Sequence, residues 1–508
     1  MKKLKILFVA LMSLPMLQAQ QIQDALRYSQ SEIRGTARFR ALSGAFGALG
    51  GDLSAVNINP AGSSVFSKSH AALSLNINDY TNDASYFSGN QLVNDSGFSL
   101  NQGGAAFVFK SSNPDAVWKK FTIGVAYDRV NNFDNQWSVV GVNNQSNNFD
   151  NTIASYFFDF ANGLPLSDIS ATQNELVNDA YVRIGSGFNG FNRQQAFLGF
   201  ESGILEPDDI DDDNNTTYLL NVDSGNFTHN FTNLETGYNG KLAFNLSGQY
   251  GDNFYVGANL NSHFIDYERS TSLFETNSNG GLISEIDFRN VVNTTGNGFS
   301  FQLGSIFKLN KSLRLGLTYD SPTWFNIRRQ LVQFLDTNDL VDQNLEPIDP
   351  RVINEFPDFK VRTPSKVSGS LAYVFGKQGL LSFDYSRRDF GGTELKNSDN
   401  QIITNTQQNN LLTTASTYRL GGEYVYNQIS FRGGYRLQES PYKNGETVGD
   451  LNGYSLGLGY NFGNTRFDLT FDQSNQSFLT PLFNQGLVSP VSLDRKTSNI
   501  TMSLTFDL

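Results

Sequence analysis

The sequence predicts an all-β fold, a 14-stranded antiparallel transmembrane β-barrel whose N-terminal segment folds into the lumen as a hatch. Three observations predict it. Apolar and polar residues alternate with period two in segment after segment, so that one face suits lipid and the other water. In "QISFRGGYRL" Ile429, Phe431, Gly433, Tyr435 and Leu437 share one face, while Ser430, Arg432, Gly434 and Arg436 share the other. Aromatic residues reach 13%, with 42 Phe and 21 Tyr, yet the hydrophobic fraction is only 39% and the mean hydropathy is -0.34. That mixture fits a wall that is greasy on one side. Connections also alternate between long and short, as in bacterial outer-membrane barrels with long outer loops and short periplasmic turns. A soluble multi-domain sandwich would share the alternation but has no reason to sort its loops.

The elements follow in order. Lys2, Lys3 and Lys5 precede an apolar run over 6–17 that ends at Leu17-Gln18-Ala19, so residues 1–19 read as a cleaved export signal. No stretch is long and apolar enough for a spanning helix. Residues 20–68 lack sustained alternation and contain "GAFGALGGDLSAVNINPAG", with glycine at every third position from Gly44 to Gly50. Small residues permit close backbone approach to surrounding walls. Phe39, Leu42, Phe46, Leu49 and Val56 argue against a floppy linker, and Gly47, Gly50 and Gly51 lack the βαβ setting of a dinucleotide loop. Side chains alone would not fill so wide a lumen, so a plug at residues 20–68 would close it.

Residues 69–508 then read as the barrel. Candidate strands begin near Ser69, Gly103, Lys119, Asn239, Asn253, Gly298, Leu313, Thr363, Gly379, Ser416, Gln428, Leu451, Asn464 and Thr497. The connection 82–100 is expected to be long, "SNPDA" short, 132–238 a very long extracellular loop, and "YGDN" short. In the last strand Ile500, Met502, Leu504, Phe506 and Leu508 alternate with polar residues, and the chain ends on Leu508 where barrels often end on an aromatic. The expected location is the cell outer membrane, multi-pass, with the hatch and the C-terminus on the periplasmic side.

Composition narrows the function. A formal charge of -12 argues against nucleic acid, and the absence of cysteine excludes disulfides, thiol chemistry and Cys-ligated zinc. No cofactor is expected. In the long loop, Ile153, Tyr156, Phe157 and Phe160 fall at helical spacing in "NTIASYFFDFANGLP". That aromatic face either captures a greasy ligand, with Tyr156, Phe157 and Phe160 as candidates, or packs on the rest of the loop. Asp209, Asp211 and Asp213 are spaced like the start of a calcium loop, but Asn214 and Leu220 stand where glycine and glutamate belong, so no metal site is assigned. His263, with the inward parity of Asn259 and Asn261, is expected in the lumen, and no serine can be named to partner it in a hydrolase. Arg419, Arg432 and Arg436 share inward faces with Glu423, Arg466 and Asp468 and are expected to line the lumen and hold the hatch; an arginine among them could meet a ligand carboxylate.

Asn59-Pro60-Ala61, followed by Gly62, resembles the hatch signature of the long-chain fatty acid transporters of the outer membrane (FadL/TodX-like). Further likeness lies in "GFSFQLGSIFKLNKSLRLGLTYDSP", "TPSKVSGSLAYVFGKQGLLSFDYSRRDF" and "YRLGGEYVYNQISFRGGYRLQESPY". The resemblance implies a hatch-occluded barrel of fourteen strands that passes hydrophobic small molecules without chemical work. Ligand would be caught at the outer face, held in a lumenal pocket and released through a gap in the wall, with Gly103-Gly104 and Asn131-Asn132 as candidate interruptions. The expected partners are such a ligand and outer-membrane lipid, and the expected state is a monomer. A docking or shuttle component in protein secretion is the alternative; a polar-solute porin leaves the hatch unexplained, and an enzyme comes last.

Overall fold

The computed structural model describes residue 23 and residues 25–145, 150–339, 347–402 and 410–508. The export signal expected at residues 1–19 lies outside the described residues. The chain forms one closed antiparallel barrel of 14 strands. They are β1 (His70–Tyr86), β2 (Gly89–Lys110), β3 (Trp118–Asn132, continued by Asn135–Asn143), β4 (Phe227–Tyr250), β5 (Phe254–Asn277), β6 (Ile283–Lys308) and β7 (Leu313–Asp320 and Trp324–Asp339). The second half comprises β8 (Phe359–Arg362 and Lys366–Val374), β9 (Gly379–Asp389), β10 (Thr414–Tyr426), β11 (Ile429–Gln438), β12 (Leu451–Asn461), β13 (Thr465–Pro481) and β14 (Pro490–Asp507). Closure comes from β1 pairing with β14, from His70↔Asp507 to Ser85↔Ser492. No described helix is long and apolar enough to cross a membrane; the strands do so, because a closed ladder satisfies every wall amide and carbonyl.

Alternation decides which way each strand faces. On β14 Ile500, Met502, Leu504 and Phe506 are exposed to the outside while Thr501, Ser503 and Thr505 are buried inside. On β11 Ile429, Phe431 and Tyr435 point outward and Arg432 is buried. Leu73, Leu75 and Ile77 on β1 and Phe121, Ile123 and Val125 on β3 extend the same outward apolar belt. Such a belt is stable against hydrocarbon and unstable in water, which fits an outer-membrane protein.

Loop lengths differ from the expectation in two places. The connection expected to be long over 82–100 is a hairpin, with Tyr86 paired to Gly89. Sequence hid this because residues 89–98 are half or fully exposed on both faces, so no apolar side marks the strand. The loop expected over 132–238 is shorter than that span, since Asn135–Asn143 pairs with Phe227–Glu235 as an extension of the wall. Residues 150–226 fold above it as a cap containing helices Ala154–Ala161, Val177–Gly185 and Gly190–Glu201. The cap has its own apolar core, in which Phe157, Phe197, Tyr181 and Ile204 pack against wall residues Phe231 and Phe288.

Candidate functional site

The N-terminal segment lies inside the barrel. Phe39, Leu42, Phe46, Leu49 and Leu53 are each 2% exposed or less; the first four pack against the wall residues Ala372 and Leu380, and Leu53 packs against Ala72, Ala126 and Ala243. Short helices at Ala37–Ala41 and Ala55–Ile58 and a 3-10 turn at Pro60–Val65 shape it. Charge fixes it laterally: Arg38 donates to Glu423 at 2.9 and 3.1 Å, and Arg40 to Asp472 at 2.8 and 2.9 Å. Both are two-point contacts that only a planar guanidinium can make. Asp384 accepts the Phe46 and Gly47 amides, each at 2.9 Å.

Asn59 ties the base. Its side chain caps the 3-10 turn by accepting the Ala61 amide at 3.1 Å, and donates to the Gly47 carbonyl at 2.7 Å and the Ser305 carbonyl of β6 at 3.0 Å. Pro60 suits the first position of the turn, where no amide is needed, and its carbonyl accepts from Asn245 at 3.0 Å. Ala61 is fully buried. Gly62 donates its amide to the Asn59 carbonyl at 2.8 Å. The glycines answer a packing need on both sides. A Cβ on wall residue Gly304 would lie 2.0 Å from the Asn59 Oδ1, and one on hatch residue Gly47 would lie 2.1 Å from the Ser370 Oγ. Gly304→Val is therefore expected to unseat the Asn59 turn and to cost about 1–3 kcal/mol, an overpacking penalty; the midpoint of heat-induced gel-mobility change of the purified barrel measures it.

Cavities lie under the cap and beside the hatch. One of about 550 Å³ lies where the cap meets the wall, lined by apolar Tyr156, Phe191, Leu331, Phe359, Leu395 and Phe483, with Arg269, Asn290 and Gln333 among its polar groups. Tyr156 thus reaches a cavity, whereas Phe157 and Phe160 are spent in the cap core. Burial pushes the Tyr156 phenol upward and the Tyr181 phenol up to about 12, so both stay neutral hydrogen-bonding groups.

A second cavity of about 290 Å³ lies in the lumen beside the start of the hatch. Arg27, Arg40, Arg269, Arg419, Arg436 and Arg495 line it against only Glu32, Asp134 and Glu235, so it is cationic within an acidic chain. Arg419 and Arg436 therefore face the lumen; Arg432 is buried in an ion network with Glu423 and Asp468. Arg269 lines both this cavity and the apolar one. His263 borders a third, smaller cavity of about 150 Å³. Its Nε2 is 2.8 Å from the Ser300 Oγ, a pairing that sequence could not name, but no hydrogen bond orients its Nδ1.

The β2–β3 ladder is interrupted beside the second cavity, where side chains bridge the break: Asn82 of β1 donates to the Gln136 carbonyl at 2.6 Å and Asn132 to the Tyr80 hydroxyl at 3.0 Å. The β2–β3 ladder runs only from Gln102↔Asp128 to Lys110↔Lys120. Beyond it, residues 89–100 pair with β1 alone and Asn135–Asn143 with β4 alone. Asn101 is an extra residue on β2, and the register of β3 shifts between Arg129 and Asn131. Of the two interruptions expected, Asn131-Asn132 lies at the gap; Gly103 and Gly104 are paired, to Tyr127 and Ala126. Asn131 faces inward, donating to the Gln30 carbonyl at 2.9 Å and accepting the Glu32 amide at 3.1 Å. Hatch residues 30–32 thereby back the gap from within.

The barrel has counterparts of similar overall fold among solved structures. A FadL homologue of Pseudomonas aeruginosa superposes with a TM-score of 0.53 at 14% identity, over 94% of this chain and 99% of the other. The toluene transporter TodX of P. putida gives 0.53 at 12% identity, over 94% and 99%. This chain has a FadL/TodX-like fold. No family model and no curated protein matches the sequence. Within the FadL-like barrel, the acidic run 208–213 bends onto its own backbone: Asp209 accepts the Asp211 amide at 3.0 Å and Asp212 the Asn214 amide at 2.9 Å.

Proposed function

We propose that this protein is a non-catalytic outer-membrane channel through which hydrophobic small molecules move passively. The observation that carries the reading is the arrangement of an apolar cavity under the cap, a lumen filled by the hatch, and a break in the β2–β3 ladder beside the lumenal cavity. Such an arrangement obstructs ions and polar solutes, while a greasy molecule gains by leaving water for the cavity at about 25 cal/mol per Å² of apolar surface. The cap would face outward and the short turns the periplasm, which places the cavity of Tyr156 and Leu331 where a ligand arrives. Passage past Arg269 leads to the arginine-lined cavity, and displacement of residues 30–32 opens the gap toward the membrane. Fatty acids or hydrocarbons are the substrate class, since toluene is carried by a protein of this fold.

Leu331→Arg tests the route, because it places a charge in the apolar cavity without touching the hatch. Uptake of a fluorescent long-chain fatty acid into proteoliposomes is expected to fall at least about tenfold, the effect of burying an unpaired charge at a binding surface. Unchanged uptake would exclude this cavity from the path. One observation favours a second reading, a docking role in secretion: Leu176 and Phe188 on the cap are 70% and 79% exposed. Co-purification of a stoichiometric protein partner, lost in Phe188→Asp, would support that reading.

A further inference from the structure

The mouth of the barrel at its short-turn end carries a cationic row that the transport reading does not use. Lys110, the last residue of β2, is directly opposite Lys120 of β3, and Lys308 of β6 is directly opposite Arg314 of β7. Like charges facing each other across an antiparallel pair are destabilising. All four share the inner face, because their neighbours Phe109, Phe121, Phe307 and Leu315 form the exposed outer belt. Between the two pairs the inner row continues through Lys120↔Gln249, Gln249↔Tyr255 and Tyr255↔Ile306. Lys120 lies within electrostatic reach of both Lys110 and Lys308. The row therefore forms one cluster.

No salt bridge among the described residues neutralises it, although buried arginines elsewhere in the lumen form them repeatedly. At this end Asp115 and Asp252 lie on exposed turns and Asp507 faces His70 at 2.9 Å. Meanwhile the cations hold the underside of the hatch. Lys120 Nζ donates to the Phe66 carbonyl at 2.6 Å, Arg314 Nη1 donates to the Leu49 carbonyl at 2.9 Å, and Lys308 Nζ donates to the Tyr255 hydroxyl. Two like-charge pairs that retain spare donors, in a chain of formal charge -12, describe a receptor for an anion.

We infer that the short-turn mouth binds a phosphate-type anion at Lys120, between Lys110 and Lys308, and that the bound anion fastens the base of the hatch to the wall. Phosphate supplies several acceptor oxygens, enough to take the free ammonium donors while Lys120 keeps its bond to the Phe66 carbonyl and Lys308 its bond to Tyr255. The anion comes either from solution or from the headgroup of an anionic phospholipid at the barrel rim.

Isothermal titration of the full-length protein with inorganic phosphate, in a non-ionic detergent at fixed ionic strength with chloride as the replaced ion, tests the first source. Saturable binding is expected, weakened about tenfold or more in Lys120→Gln with Lys308→Gln, since each lost charge removes a charge-assisted contact. Lys110→Gln serves where that double variant does not fold, because the exposed Lys110 supports no hydrogen bond to the hatch. A spin label at the exposed Ser67 position, read in nanodiscs of phosphatidylglycerol and of phosphatidylcholine, tests the second source. Immobilisation in phosphatidylglycerol that the same variants abolish, without phosphate binding in detergent, assigns the anion to lipid. Absence of both effects, or equal effects in wild type and variants, overturns the inference.

Discussion

Protein lacking residues 20–66 is expected to pass a steady, porin-scale ionic current in planar bilayers, where the intact protein stays closed. The wall does not need the hatch for closure, since β1 and β14 pair along their length. The two wall carboxylates that pair with hatch arginines keep other partners: Glu423 retains Arg432, and Asp472 retains Asn499 at 3.2 Å. What disappears is the packing of Phe39, Leu42, Phe46 and Leu49, and side chains alone do not fill a barrel of this size. Single-channel recording measures the change. A deletion variant that folds and remains closed would mean that the cap, not the hatch, seals the lumen.

Arg432→Ala is expected to be the most damaging single substitution in the wall, at about 3 kcal/mol, the low end for breaking a buried ion pair. The Arg432 and Asp468 side chains are each 1% exposed and their contact is 2.7 Å; Arg432 Nε also donates to Glu423. Truncation leaves two carboxylates inside a low-dielectric wall. The loss stays at the low end because Asp468 keeps Arg466 at 2.8 Å and Glu423 keeps Arg38 at 2.9 Å. Adding Asp468→Asn to Arg432→Met should recover part of it, because one stranded carboxylate is then gone while Arg466 keeps Asp52 at 3.5 Å. Urea unfolding in detergent, followed by tryptophan fluorescence, reads both steps. Equal stability of Arg432→Ala and wild type would show the network to be solvated.

These two experiments touch features that differed in how far sequence revealed them. The wall was legible where one face meets lipid: Ile429, Phe431 and Tyr435 announce the outside of β11 and so place Arg432 inside. The tip of the β1–β2 hairpin was not, because both faces of residues 89–98 meet solvent and no period survives. Asn59-Pro60-Ala61 was legible as a turn, and its resemblance marked it as hatch. Its partners were not, since Gly47 and Ser305 are brought to Asn59 only by the folded lumen. The same holds for Arg38 with Glu423 and Arg40 with Asp472, which join opposite ends of the chain. Helical spacing of Tyr156, Phe157 and Phe160 identified the cap helix; which of the three reaches a cavity depended on contacts with Phe288 and Phe483.

A hydrophobic small molecule crossing the membrane by this route occupies the cavity under the cap and the cavity beside the hatch on its way. Mass spectrometry of the lipid extract from detergent-purified, full-length protein tests it most directly. The account predicts a fatty acid or hydrocarbon retained at near one per chain and depleted in Leu331→Arg. Protein that carries no such molecule, binds none when one is offered, and instead conducts ions steadily with its hatch intact would contradict it.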